Sequence, residues 1–173
     1  MLRTGRYSIS SRIVRGSSVV VPTLIGLFCV IATVLPYGAV GGFTFTPIFP
    51  LAAIFFFVLT RPSQMTPVSV FAIGILQDLL TGGPVGLWAL VYLLCYAATS
   101  AMRVLFVGRS AMAAWPGFLI VSLLAGLCIW VIASLLFGTP INVVPVVGQM
   151  MLTASLYPPL AWVFTRFLPQ EEN

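Results

Sequence analysis

The chain has 173 residues, of which 60% are apolar and 6% are charged, and its formal net charge is +5. A soluble domain carries about 25% charged residues, so this composition excludes a water-soluble globular protein and indicates a polytopic membrane protein of one domain. The positive charge comes from arginines that stand at the ends of apolar runs. Because they do not cluster beside aromatic residues on a soluble face, we expect no nucleic-acid partner.

Six apolar segments follow a basic N-terminal stretch. Residues 1–18 carry arginines among Ser and Gly without apolar periodicity, which predicts a mobile cytoplasmic tail lying against anionic membrane lipid. The segments are residues 19–35, 43–59, 67–80, 87–102, 116–137 and 143–167. A membrane-spanning helix takes about 20 residues, so the third segment is short, the second is borderline, and the fourth reaches that length only from Pro84. The sequence predicts an all-α polytopic membrane protein, with six transmembrane helices in a domain at 19–168 and a cytoplasmic tail at 169–173.

All the arginines fall on one side of the membrane when the N-terminus is placed in the cytoplasm. Arg61 then lies in the second loop, Arg103 and Arg109 lie in the fourth, and Arg166 ends the sixth segment. Neither Lys nor Arg occurs in the three opposite loops, near residues 36–42, 81–84 and 138–142. Because cytoplasmic loops are enriched in these residues, the pattern predicts six spans with both termini in the cytoplasm.

Two features indicate how the helices pack. Small residues four positions apart let helix backbones approach closely in lipid, and they occur as Ala97 with Ala101 and as Ser122 with Gly126. Small residues are also common in membrane helices without any such role, so both interpretations stay open. The two consecutive prolines at 158–159 predict a kink in the sixth helix, since neither has an N–H to donate.

The sequence offers no catalytic set. There is no His and no Lys, so a nucleophile would lack its usual base. The three cysteines lie far apart inside apolar runs, which indicates packing residues rather than disulfides or zinc ligands. We expect no catalytic residue, no cofactor and no metal, and hence a protein that is not an enzyme. The following aromatic residues are predicted mostly to face lipid or the membrane interface: Trp88, Trp115, Trp130, Trp162, Tyr92, Tyr96 and Tyr157.

Asp78 is the only acidic residue before the last three positions of the chain, and it stands among Leu and Ile just before a Gly-Gly-Pro turn. A charge at the centre of a membrane helix costs roughly 2.5–3.5 kcal/mol by insertion scales, so this residue is a candidate site. In one interpretation the carboxylate braces the turn by accepting hydrogen bonds from Gly82, Gly83 or the start of the next helix. Pro84 at that helix start would favour this geometry. In the others, Asp78 pairs with a cation of a partner or is a protonated acid that contacts a ligand.

Arg61 and Pro62 form a second candidate. The topological interpretation is that Arg61 anchors the second segment on the cytoplasmic side and that Pro62 begins the third helix. The alternative is a contact with a partner. The spacing from Arg61 to Asp78 corresponds to roughly 25 Å of helix, so no arginine of this chain is expected to pair with Asp78.

The chain resembles the bacterial rod shape-determining protein MreD family. Three features carry the resemblance: Phe-Phe-Phe-Val-Leu-Thr-Arg-Pro at 55–62, Gly-Ile-Leu-Gln-Asp at 74–78 followed by Gly-Gly-Pro-Val-Gly at 82–86, and the six-span size. Ile75 and Val85 stand where the family pattern has Leu, and the two ends of the chain match only in hydropathy. The structural or partner-binding candidates are Arg61, Pro62, Gly74, Asp78, Gly82, Gly83, Pro84 and Gly86.

The resemblance implies a non-enzymatic subunit of the cell-elongation machinery in the bacterial inner membrane. The family is expected to bind MreC, and through it RodA, a monofunctional penicillin-binding transpeptidase and, indirectly, MreB. The resemblance also implies a fold similar to the substrate-binding subunits of energy-coupling-factor vitamin transporters.

A transporter subunit for a small molecule is the rival hypothesis. Short segments interrupted by Gly and Pro around an acid are typical of transport sites. Against this, a ligand site normally needs several placed polar groups, and the polar inventory is nearly limited to Gln77, Asp78, Asn142 and Gln149.

Overall fold

A computed structural model describes residues 7–35, 46–106, 111–138 and 142–167, with the side chains of residues 7–18, 111 and 112 left aside. These residues form helices and connecting turns without any strand, which confirms the predicted all-α class for this part of the chain. The six α-helices, named in chain order, are α1 (Tyr7–Val34), α2 (Phe49–Thr60), α3 (Pro67–Thr81), α4 (Leu87–Met102), α5 (Trp115–Phe137) and α6 (Val143–Phe167). Short 3₁₀ turns at Arg103–Phe106 and Ala111–Ala114 lie between α4 and α5.

Helix α2 is the centre of the molecule. It contacts α1, α4, α5 and α6, and every residue from position 50 to 58 is buried. A helix that is apolar on all sides is stable only inside a core, and Phe55 shows how this core is built. Its ring meets those of Phe118 and Tyr157 edge-on, at centroid distances of 5.2 and 5.4 Å. Four helices therefore surround α2, and Tyr157 lies in the core instead of facing lipid as expected.

The second predicted segment is shorter as a helix than its hydropathy indicates. Residues 43–45 lie outside the described part, and α2 begins at Phe49 with a proline in its first turn. Its 12 residues span roughly 18 Å, less than the 30 Å hydrocarbon thickness of a typical bilayer. Hydropathy alone does not distinguish a short buried helix from a span, because both are apolar.

Part of the predicted tail is helical, because α1 already begins at Tyr7 and continues for 28 residues. Once the apolar part of a helix has nucleated, each further residue adds one backbone hydrogen bond, and no proline precedes Pro22 to stop the helix. The first six residues, Arg109 and the predicted tail at 169–173 lie outside the described residues.

Among the described residues, three helical stretches are long and apolar enough to cross a membrane: Leu87–Phe106, Trp115–Phe137 and Val143–Phe167. Three shorter apolar helices accompany them: Val19–Val34, Phe49–Thr60 and Pro67–Thr81. The fourth segment reaches spanning length by continuing through the 3₁₀ turn that ends at Phe106 and not by starting at Pro84, since α4 begins at Leu87. The long apolar helices indicate a membrane-embedded protein.

The two pairs of small residues have different environments. Ser122 and Gly126 are buried on α5, and a Cβ atom at Gly126 would lie 2.6 Å from Cγ of Met150 on α6. This pair therefore lies at a close helix contact. Ala97 and Ala101 are exposed on α4 and take no part in packing within the described chain. Helix α6 runs unbroken through its two prolines.

Candidate functional site

The candidate site is the turn between α3 and α4, and α3 is oriented toward it by a regular buried face. Thr66 caps the start of α3, where its hydroxyl accepts a hydrogen bond from the N–H of Ser69 at 3.2 Å. The buried residues of α3 follow the spacing of one helix face, namely Ser69, Val70, Ile73, Gly74, Gln77 and Asp78. Because the last two end this face, α3 directs both polar side chains toward its neighbour α4.

The Asp78 carboxylate caps the first turn of α4. Its Oδ2 accepts hydrogen bonds from the backbone N–H groups of Gly86, at 2.8 Å, and Ala89, at 3.4 Å. Its Oδ1 accepts one from the N–H of Trp88 at 2.9 Å. The fourth free N–H of this helix start belongs to Leu87 and donates to the carbonyl of Pro84 at 3.2 Å. All the donors that a helix start normally leaves free are therefore satisfied.

Asp78 thus forms hydrogen bonds both at the end of α3 and at the start of α4. The backbone carbonyl of Asp78 accepts a hydrogen bond from the N–H of Gly82 at 3.1 Å, which closes α3 with a left-handed glycine. A carboxylate is disfavoured by the negative end of its own helix, but the positive end of α4 favours it. The side chain is only 1% exposed. These N–H groups and the positive helix end therefore stabilise the carboxylate.

The site matches the turn-bracing interpretation, with one correction. Of the expected donors, which were Gly82, Gly83 or the start of the next helix, the side chain of Asp78 uses the start of α4, and Gly82 donates to its backbone carbonyl. Pro84 does not begin the helix. It lies three residues before Leu87 and accepts the hydrogen bond that closes this turn. The prediction of a helix-start proline failed here because the chain needs these residues to reverse direction before α4 begins.

The glycines of the motif have different roles. Gly82 and Gly86 adopt positive φ angles of 67° and 101°, which residues with a Cβ atom rarely adopt. Gly83 has no such angle, and an added Cβ would only approach Oγ1 of Thr81 at 4.0 Å. The turn therefore requires glycine at the first and last of these positions and not in between.

Gly74 allows the backbones of α3 and α4 to touch. A Cβ atom there would lie 2.3 Å from Cα and 2.6 Å from N of Ala89, which is closer than real Cβ atoms approach other residues. Because Ala89 also donates to Asp78, the helix contact and the carboxylate cap depend on the same residue of α4.

A second polar pair in this contact was not predicted. The hydroxyl of Tyr92 donates to Oε1 of Gln77 at 2.7 Å, and both residues are buried, at 0% and 1% exposure. Tyr92 was expected mostly to face lipid, which is wrong. A Gln beside an Asp inside an apolar run is the signal that could have indicated a buried partner, because buried amides need hydrogen bonds.

Arg61 and Pro62 lie apart from this site, between α2 and α3. The N–H of Arg61 donates to the carbonyl of Phe57 at 2.7 Å, and its own carbonyl accepts from Gln64 at 3.0 Å. Pro62 is the second residue of that turn, a position that proline favours. The expected helix start is therefore wrong for Pro62, because Pro67 occupies that position after its Thr66 cap.

Polar side chains of α6 form hydrogen bonds with the backbone of the residues that precede α2. Nε2 of Gln149 donates to the carbonyl of Thr46 at 2.8 Å, and the N–H of Ile48 donates to the hydroxyl of Thr153 at 3.0 Å. Three of the four residues in the polar inventory, Gln77, Asp78 and Gln149, therefore link helices or the segments beside them. No group of three potential metal ligands occurs among the described residues.

Comparison with protein-family models, with curated proteins and with solved structures finds no match to the chain. The resemblance to the MreD family therefore remains a hypothesis that rests on the quoted motifs.

Proposed function

We propose that the chain is a non-enzymatic scaffold subunit of the bacterial cell-elongation complex, which synthesises peptidoglycan in rod-shaped cells. It crosses the inner membrane six times with both termini in the cytoplasm. It binds MreC and, with it, RodA and a monofunctional penicillin-binding transpeptidase, and MreB indirectly. The observation that carries this proposal is the Asp78 carboxylate, which uses both oxygens to join α3 to α4. Asp78, which carries part of the resemblance, thus has an architectural role.

The use of the polar side chains favours a scaffold over a vitamin transporter. A transport site needs polar groups that face a cavity, whereas Gln77, Asp78 and Gln149 are bonded within the chain. The groove between α5 and α6 has a volume of about 300 Å³ and is lined by apolar residues such as Leu127 and Val147. Such a groove suits hydrocarbon better than a polar vitamin.

The positions of the described arginines support the six-span topology. Arg61 follows α2, Arg103 follows α4 and Arg166 lies in the last turn of α6. In an antiparallel succession of six spans, the ends of the even-numbered helices lie on the side of the N-terminus. The positive-inside rule assigns that side to the cytoplasm.

Depletion and co-purification test the proposed function. Cells depleted of the chain are expected to become round while nutrient uptake stays normal, and the tagged protein purified in mild detergent is expected to retain MreC. Reporter fusions at Gly41, Gly83 and Gly138 should report the periplasm, whereas fusions at Gly108 and Asn173 should report the cytoplasm. A vitamin requirement with normal cell shape would replace the scaffold by the transporter, and a periplasmic Asn173 would overturn the six-span topology.

A further inference from the structure

The two halves of the molecule have apolar helices of different length. In the short half, α1 contributes the apolar stretch Val19–Val34, α2 has 12 residues and α3 has 15, which correspond to roughly 24, 18 and 22 Å. In the long half, α4 with its 3₁₀ turn, α5 and α6 have 20, 23 and 25 residues, or roughly 30, 34 and 38 Å. The hydrocarbon core of a typical bilayer is about 30 Å thick.

The short half exposes its apolar surface through two adjacent helices. Helix α2 is buried from residue 50 to 58 and contributes little to this surface. Helices α1 and α3 pack on each other and expose their outer faces. Their outer side chains are large and apolar, with Phe28 of α1 at 70% exposure and Val68 of α3 at 76%. This surface needs hydrocarbon around it as much as the surface of the long half does.

Helix α3 has no means of reaching the thickness of a typical bilayer. Its first turn is capped by Thr66 and its last turn by Gly82 in a left-handed conformation, so neither end continues as a helix. The residues from 81 to 85 are exposed, and a tilt would only shorten the helix along the membrane normal. No Lys or Arg lies within Pro67–Thr81, so no long cationic side chain of the helix itself extends toward the interface.

We propose that the bilayer is locally thinned beside α3, to roughly 22 Å, while it keeps its full thickness around α4, α5 and α6. The occupant of the outer surface of α3 is thus a compressed annulus of lipid chains. A hydrophobic stretch that is too short is accommodated by thinning, by extended flanking side chains or by oligomerisation. Since α3 has no Lys or Arg, thinning is the response that we expect of a single copy of the protein in lipid. This inference rests on the six-span arrangement proposed above.

Cysteine accessibility tests this inference at matched positions. Val68→Cys and Leu79→Cys mark the two ends of α3, and Ile120→Cys and Val131→Cys have the same spacing within α5. All four side chains are exposed, from 39% to 76%, so the substitutions do not disturb the core. Each variant is purified, reconstituted alone into phosphatidylcholine vesicles with 18-carbon chains, and treated with a membrane-impermeant maleimide from either side. The unsubstituted protein gives the background of its own three cysteines.

We expect both α3 cysteines to react, from opposite sides, at least about tenfold faster than the α5 pair, because a thiol reacts through its thiolate, which hydrocarbon disfavours. If either α3 cysteine is as unreactive as the α5 pair, or if the α5 pair reacts as fast, thinning beside α3 is refuted. If both α3 cysteines react from the same side, the proposed topology fails instead, and the inference falls with it. Vesicles with 14-carbon chains provide a control, since α3 then fits without thinning and both ends should react.

Discussion

The α3–α4 and α5–α6 pairs are both antiparallel helix pairs that approach closely at a glycine. At Gly74 the opposing atoms belong to the backbone of Ala89, whereas at Gly126 the nearest atoms belong to the side chain of Met150. A methionine side chain has three rotatable bonds and adapts to irregular gaps, but a helix backbone has no such freedom. The same small residue therefore makes a rigid contact in one pair and an adjustable contact in the other.

The two pairs also differ in what fixes their register. Four hydrogen bonds link side chains of α3 to the start and middle of α4, three of them to Asp78 and one to Gln77. Between α5 and α6, the indole N–H of Trp115 donates to the carbonyl of Ala154 at 2.8 Å, and the side chains of Met150 and Val146 pack against Gly126. Directional bonds specify one register, whereas apolar packing tolerates small shifts. The α3–α4 pair is therefore expected to be the less tolerant of the two.

The largest expected effect comes from adding one methyl group to each glycine contact. Gly74→Ala should lower the free energy of unfolding by about 3 kcal/mol, since overpacking against a backbone forces the helices apart and displaces Ala89 from Asp78. Gly126→Ala is the matched change in the adjustable pair and should cost less, about 1–2 kcal/mol, because the buried Met150 side chain can adopt another rotamer and Ala favours the helix. Titration with a denaturing detergent, followed by circular dichroism, measures both. Equal losses in the two variants would refute the difference between the pairs.

The second effect concerns the cap itself. Asp78→Ala leaves three N–H groups without their acceptor in a poorly hydrated place and should cost about 2–3 kcal/mol. Asp78→Asn keeps one acceptor oxygen but turns an NH₂ group toward the remaining donors, so we expect a loss of about 1–2 kcal/mol. The protein level in membranes and the co-purification of MreC should fall together in both variants. Normal levels with lost co-purification would instead indicate a partner cation at Asp78, and no change in either would refute both roles.

Short-range signals explain which parts of the fold could be predicted from the sequence. The bounds of α3 to α6 follow from local residues, such as Pro67 after Thr66 and the glycines that end α3 and α5, Gly82 and Gly138. The placement of Asp78 on a helix start could be inferred because the donors lie only eight to eleven residues further along the chain.

Long-range contacts explain what could not be predicted. The burial of α2 depends on four other helices, and nothing in its own residues distinguishes a helix surrounded by protein from one surrounded by lipid. For the same reason Tyr92 and Tyr157 were expected mostly at the lipid interface, although both are fully buried. The six-span count, the orientation and the partners stay predictions.

The third prediction compares the effects on stability of replacing two glycines of the turn. Gly86→Ala should cost about 1–2 kcal/mol, because its φ of 101° is unfavourable for a residue with a Cβ atom. Gly83→Ala is the control in the same turn, where the space is open and φ is not positive, and it should leave the unfolding midpoint unchanged. The same detergent titration compares them. A loss at Gly83 as large as that at Gly86 would show that the turn has another conformation.

The smallest expected effect isolates the second polar bond of the α3–α4 pair. Tyr92→Phe removes the hydroxyl that donates to Gln77 but keeps the ring in the core, so it should cost about 1 kcal/mol, with part of that loss arising from the buried amide left without its donor. Tyr96→Phe provides the control on the same helix, one turn further on, where the side chain is half-buried, and it should change stability by less than about 0.5 kcal/mol. The double variant Tyr92→Phe with Gln77→Leu removes both partners at once and should recover part of the loss, since replacing a buried pair by apolar groups can be nearly neutral. If the double variant is instead as unstable as the sum of the two single changes, the bond does not couple the helices, and the register of α3 on α4 is fixed by Asp78 and Gly74 alone.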